Sequence, residues 1–274
     1  MTQRGSRRAK VRLLALINSY SHGMSGGDIF VIEMCKRWPG AEVDIITSAL
    51  GEGVCRQHGI SANFHVSSWE SEFTSVVRVY VLRILRAIVL QATVRPIDVL
   101  YSSSDFLPDV LPAFIRKIAS PRTVWVQKVF HLIPSARTVP HVAQRLSLTL
   151  CRIAANVTIV GSNVVRDELL ARGFNARKVE LNYPGVDLAS FASVRSDSNT
   201  QFDAVFLGRL HRSKGIFDLI SVWKRVCADL PNVRLAIVGR GDEPTTQELR
   251  STIARASPVS YTHLRAHETG RNLV

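Results

Sequence analysis

Nine short apolar runs rich in valine and isoleucine, at 11–17, 42–47, 62–66, 98–101, 123–127, 156–160, 178–182, 202–207 and 234–238, constrain the chain most strongly. Between most of them lie longer segments of helical period, at 28–37, 73–94, 108–118, 142–155, 163–171, 215–230 and 245–256. A strand buried on both faces reads as a continuous apolar run, and alternation with helices supplies the crossovers that parallel strands require. The expected architecture is therefore α/β, a doubly wound parallel sheet with helices on both faces.

The pattern breaks once, between Ala189 and Gln201, where the stretch ASFASVRSDSNTQ is polar and aperiodic. This divides the chain into a complete Rossmann-like domain over 1–190, a linker over 191–201 and a second, partial Rossmann-like domain over 202–257. From Pro258 the sequence PVSYTHLRAHETGRNLV carries neither period. It resembles translated adapter read-through, so 258–274 is expected to be a non-native, mobile tail; the alternative is a disordered native tail.

The densest motif is FLGRLHRSKGIFDLISVWKRV, residues 206–226. A strand ends at Leu207, Gly208 permits a sharp turn, and Arg209 and Lys214 precede a helix opening near Gly215. Two cations beside a helix N-terminus suit an anion such as a diphosphate, because free N–H groups and the helix dipole add to the side-chain charge. An ordinary βα loop with two solvated cations is the plainer reading. A Pro–Asn turn and RLAIVGRGDE follow, with Gly239 and Gly241 closing the next strand.

This ordered combination resembles the nucleotide-binding domain of family 4 glycosyltransferases, which have the GT-B fold and retain anomeric configuration. The resemblance implies that Arg209 and Lys214 neutralise the donor diphosphate and that Gly208, Gly239 and Gly241 shape the nucleotide loops. It extends to the first half of the chain. There SYSHGMSGGDIF places Gly26 and Gly27 after the first strand, with Asp28 as a helix N-cap, where the family has a glycine-rich loop facing the donor phosphates. VWVQKVFHLIP places His131 just past a strand, where the family has a histidine near the donor sugar and acceptor; many members continue with Asp, whereas this chain has Leu132. His131 is the candidate catalytic residue, a loop histidine being the alternative. NVTIVGSNVVRDELLARGF gives a helix capped by Ser162 or Asn163, and KVELNYPGVDLASF carries Asp187, read as a turn or capping residue. The family carries a pair of glutamates beyond the point where this chain departs at Pro258, and no such pair follows the nucleotide-domain motif here, so this polypeptide is expected to be inactive.

Charge is the one extreme of composition: 35 Lys+Arg against 22 Asp+Glu leave +13, which favours an anionic partner. Nucleic acid is not expected, because only 7% of residues are aromatic and the basic residues are dispersed. In the segment 73–94, Arg78, Arg83 and Arg86 fall within an arc of about 140°. That arc is either the solvated face of a core helix or a contact with an anionic membrane; a transmembrane helix is disfavoured by the arginines.

Cys35, Cys55, Cys151 and Cys227 form no C-x-x-C pair, which indicates neither zinc nor a redox dithiol and leaves a reducing cytoplasm as the expected location, with peripheral attachment to the inner face of the membrane as the variant. No D-x-D triplet occurs, so no metal or other cofactor is expected. The expected partners are a nucleotide diphosphate sugar and a glycan or lipid-linked acceptor hydroxyl. Two rivals remain open: a non-catalytic basic protein binding nucleic acid or membrane, and a Rossmann-type oxidoreductase. The second needs G-x-G-x-x-G after the first strand, which is not found there.

Overall fold

The computed structural model describes residues 10–19, 26–38, 40–69, 75–134, 138–185, 188, 192, 202–256 and 261–265. The chain divides into two compact units, Met1–Gly185 and Val186–Val274.

In the first unit, β1 (Val11–Ile17), β2 (Ala41–Thr47), β3 (Asn63–Val66), β4 (Val99–Ser102), β5 (Val124–Val129), β6 (Val157–Val160) and β7 (Val179–Leu181) form one sheet in the order β3-β2-β1-β4-β5-β6-β7. Every pairing is parallel, with Leu13 opposite both Val43 and Val99. The order reverses at β1. Helices α1 (Gly26–Lys36) and α2 (Ala49–Gln57) serve the crossovers toward β3. Helices α3 (Val76–Thr93), α4 (Leu107–Ala119), α5 (Val139–Ala154) and α6 (Asn163–Ala171) serve those toward β7. Because crossovers of parallel strands share one hand, the two sets must lie on opposite faces. The cores confirm this: Leu13, Ala15 and Ile17 of β1 pack with Val31, Ile32 and Cys55, whereas Leu14 and Leu16 pack in the cluster of Ala87, Val110, Leu148 and Leu169.

All nine expected strands are present, with ends shifted by one or two residues. Four other expectations are corrected. Helix α1 begins at Gly26, so Asp28 lies in its first turn and is not its N-cap. Helix α2 was not expected, since two glycines depress the propensity of ALGEGVCRQ; the Ser48 side chain, accepting from Gly51 N at 3.2 Å, caps it instead. Helix α5 starts at Val139, with Pro140 tolerated in the first turn where its missing N–H costs nothing. The basic arc of α3 is not a common solvent face. Arg83 is 4% exposed and donates from Nε to Ser68 Oγ and from a terminal nitrogen to the Asn18 carbonyl, both at 2.8 Å, and Arg86 is half-buried. Among the described residues no helix is long and apolar enough to cross a membrane.

In the second unit, β8 (Ala204–Leu207), β9 (Leu235–Val238) and β10 (Tyr261–Arg265) form a parallel sheet in the order β10-β9-β8. Helices α7 (Ile216–Asp229) and α8 (Glu243–Ala256) share its core, where Ile216, Ile220, Trp223, Ile237 and Leu249 are buried. Strand β10 corrects the reading of the tail as wholly without strand. The free edge of β9 offers unpaired backbone groups to any extended segment, and Tyr261 and Leu264 pair with Leu235 and Ile237 across an irregular register. The rest of the tail, most of the linker, and Asp187 lie outside the described residues.

Candidate functional site

The loop after β8 continues the ladder beyond the strands. Gly208 N donates to the Val238 carbonyl at 3.0 Å and Leu210 N to the Arg240 carbonyl at 2.7 Å, which draws the two strand-end loops together. The approach leaves no room for side chains on one loop: a Cβ on Gly239 would lie 1.7 Å from the Gly208 carbonyl oxygen, and one on Gly241 would lie 2.8 Å from the Leu210 carbonyl oxygen. These two glycines therefore have a packing role at the strand ends. Gly208 is a correction, since it has no positive φ and a Cβ there would make ordinary contacts. The left-handed residue is Gly215, at φ 71°. It ends a 3-10 turn, Arg212–Lys214, and opens α7.

The N-terminus of α7 has no side-chain cap, so its first backbone N–H groups are open. Lys214 immediately precedes it, and both Lys214 and Arg209 are exposed, with no ion pair among the described residues. Arg212 is engaged otherwise, paired with Glu248 and stacked 4.6 Å from the Phe217 ring centroid. The second loop ends at Asp242, whose carboxylate caps α8 by accepting from Thr245 N at 2.7 Å; bonds from Thr245 hold its pKa below the usual aspartate value. The uncapped helix start with two uncommitted cations is chemically suited to an anion.

In the first unit, the C-terminal rim of the sheet carries a buried polar network. Asp109 of α4 accepts from Asn18 N at 2.7 Å, Ser103 Oγ at 3.0 Å and Ser104 Oγ at 2.6 Å, while Ser67 Oγ donates to Asn18 Oδ1 at 2.7 Å. His131 follows β5 and is exposed. Its position is fixed from below by Gln144 of α5. Gln144 Nε2 donates to the His131 carbonyl at 2.9 Å and to Asp105, and Gln144 Oε1 accepts from Ile133 N at 2.8 Å. Burial raises the Asp105 pKa, against the Gln144 hydrogen bond and the nearby His131, which favour its ionised form.

Gly27, in the first turn of α1, faces Phe130: a Cβ there would lie 2.5 Å from the ring. Beside them is Lys128, fully buried at the end of β5, with Nζ 4.5 Å from the Phe30 centroid and 5.3 Å from that of Phe130. Its Nζ has no hydrogen-bond partner among the described residues, and burial lowers its pKa to about 8.

His131, Gly26 and Gly27, singled out from the sequence, thus stand after β5 and at the start of α1, while Asp105 and Gln144 beneath His131 and Lys128 beside Gly27 were not singled out. Gln144 left a trace, since it occupies the core-facing positions of α5 with Ser147, Leu148 and Cys151. Among the described residues no group of His, Cys, Asp or Glu could hold a metal. Two open depressions of about 640 and 600 Å³ lie at the opposite, N-terminal edge of the sheet, around Arg12 and Asp44 and around Asp98 and Arg122. Ligands of such sheets bind beyond the carboxyl ends of the strands, which favours the His131 rim over either depression.

Residues 192–257 match the family model for glycosyl transferases group 1. No curated protein sequence matches the chain. Among solved structures, Anabaena Alr3699/HepE in complex with UDP and glucose is similar over 93% of this chain and 70% of its own, at 19% identity and TM-score 0.68. A glycosyltransferase from Rickettsia africae ESF-5 is similar over 90% of this chain and 65% of its own, at 15% identity and TM-score 0.62. The UDP-GlcNAc 2-epimerase of Neisseria meningitidis bound to UDP-GlcNAc is similar over 93% and 73%, at 12% identity and TM-score 0.60. The chain thus spans about two thirds to three quarters of the length of these proteins. Identities this low bear on architecture alone, and the architecture they show is the GT-B fold, with Rossmann-like parallel α/β units.

Proposed function

We propose that the protein transfers a sugar from a nucleotide diphosphate sugar to an acceptor hydroxyl on a glycan or lipid-linked carrier, with retention of configuration, as a family 4-like glycosyltransferase. The observation that carries this is the uncapped start of α7 beside the exposed Arg209 and Lys214, within the segment that matches glycosyl transferases group 1. In this reading the two cations and the helix N–H groups stabilise the diphosphate as it leaves, and so take the part a metal ion plays in other sugar transferases. Gly26 and Gly27 let backbone approach the donor phosphates, and His131 orients groups at the reacting centre. The UDP complexes of similar structures support uridine as the donor nucleotide.

Titration calorimetry with UDP tests the site. Arg209→Ala and Lys214→Ala should each weaken binding by about 1.5–3 kcal/mol, the contribution of a charge-assisted contact. Unchanged affinity in both variants would refute the assignment. The epimerase among the similar structures gives a second reading, and product analysis separates the two: transfer yields a glycosylated acceptor and free UDP, whereas epimerisation needs no acceptor hydroxyl.

A further inference from the structure

Helices α3, α4 and α5 lie side by side on one face of the seven-stranded sheet, and their outer surface is both apolar and cationic. Val81, Leu85 and Val89 of α3, Ile118 of α4, and Val142 and Leu146 of α5 are 51–67% exposed. The spacing of four residues aligns them along each helix. The same three helices contain seven Lys and Arg and a single carboxylate, Asp109, which is buried and already hydrogen-bonded to Asn18, Ser103 and Ser104. Helices α1 and α2, on the other sheet face, are different. Their Glu33 and Glu52 pair with Lys36, Arg37 and Arg56, as a water-facing layer does.

We propose that the α3–α5 face docks on an anionic lipid bilayer. The apolar residues enter the interface, while Arg78, Arg145 and Arg152, all exposed, meet the headgroups. Trp69, 49% exposed under the Arg86 guanidinium at 5.3 Å from its centroid, lies beside α3 and suits the headgroup level. A second copy of the chain is the weaker occupant. A twofold contact would oppose this cationic face to itself, with no exposed carboxylate on the three helices to pair with it. The membrane contact expected for the arginine arc of α3 thus moves to the outer surface of three helices, with Arg83 turned inward.

Co-sedimentation of the full chain with phosphatidylcholine vesicles, with and without phosphatidylglycerol, tests the proposal in the absence of any nucleotide, so its outcome is independent of the donor site. Binding should require phosphatidylglycerol, weaken with salt, and fall at least about tenfold in Leu85→Asp/Leu146→Asp, since each change removes one inserted side chain. Leu50→Asp, on the opposite sheet face, should bind as wild type. Thermal unfolding of each variant checks the fold, and if the double Asp variant is unfolded, Arg145→Gln/Arg152→Gln replaces it and should weaken binding to the anionic vesicles. Wild-type affinity in a folded double variant, or no binding to either vesicle, overturns the proposal. So does a dimer, seen by light scattering, that the same substitutions dissociate.

Discussion

Lys128 is the residue whose environment is most at odds with its chemistry. An ammonium group buried between Phe30 and Phe130 has exchanged water for ring contacts, so its pKa drops to about 8 from an ordinary 10.5. The folded chain therefore gives up this proton near pH 8, whereas the unfolded chain keeps it to 10.5. Across that window the unfolded state binds more protons and stability rises with pH. Lys128→Met should accordingly stabilise the protein by about 3 kcal/mol at pH 7, and the gain should largely vanish by about pH 10.5; denaturant titrations at the two pH values measure it. Gln144 presents the opposite case, a buried polar residue with every partner in place. Gln144→Leu leaves Asp105, the His131 carbonyl and Ile133 N short of a bond, and should cost about 2–4 kcal/mol. In a version extended to carry the family's paired glutamates, the substitution should lower kcat of the proposed reaction more than it raises KM, because the loop that carries His131 loosens.

The first turn of α1 is a test of whether space or propensity decides at the level of an element. Glycine within a helix costs roughly 1 kcal/mol relative to alanine, so Gly27→Ala would stabilise α1 taken alone. The Phe130 ring lies where the new methyl would go, so the substitution should instead destabilise by about 1–3 kcal/mol, read by thermal unfolding. At Gly239 the obstacle is backbone, the Gly208 carbonyl, which has no rotamer to change. Gly239→Ala should therefore disrupt the junction of β8 and β9 and abolish UDP binding in the same calorimetric assay. Strand β8 supplies the contrast: Ala204 and Phe206 pack on its core, while Val205 and Leu207 are 64% and 60% exposed. Replacing either of the exposed pair by Thr should change stability by less than about 0.5 kcal/mol.

At the scale of the whole molecule, among the described residues the first unit has a core on each face of its sheet and the second has one smaller cluster. Stability follows the apolar area buried, so the two units should unfold in separate steps. Calorimetry should resolve two transitions, and Lys128→Met should move only the one that belongs to Met1–Gly185. A single transition shifted as a whole by that substitution would show that the units unfold as one.

The alternation of apolar runs and helical periods was sufficient to place nine strands and seven helices, because each is a local pattern fixed by the backbone's own geometry. The motif around Arg209 and Lys214 was legible for the same reason, since loop, cation and helix start are neighbours in the chain. Contacts between distant segments left little trace. That Arg83 turns inward to Ser68 and Asn18 depends on what stands opposite it, and helical period alone assigned it to the basic face. Asp105 and Gln144 meet only when the loop after β4 packs against α5, and Lys128 meets Phe30 and Phe130 only when α1 packs beside the end of β5, and no spacing in the sequence encodes either meeting. Strand β10 depends on the free edge of β9 beside it. Local periodicity thus determined the elements, while burial, which follows from long-range packing, decided which polar side chains are enclosed and hydrogen-bonded and which apolar side chains are left exposed.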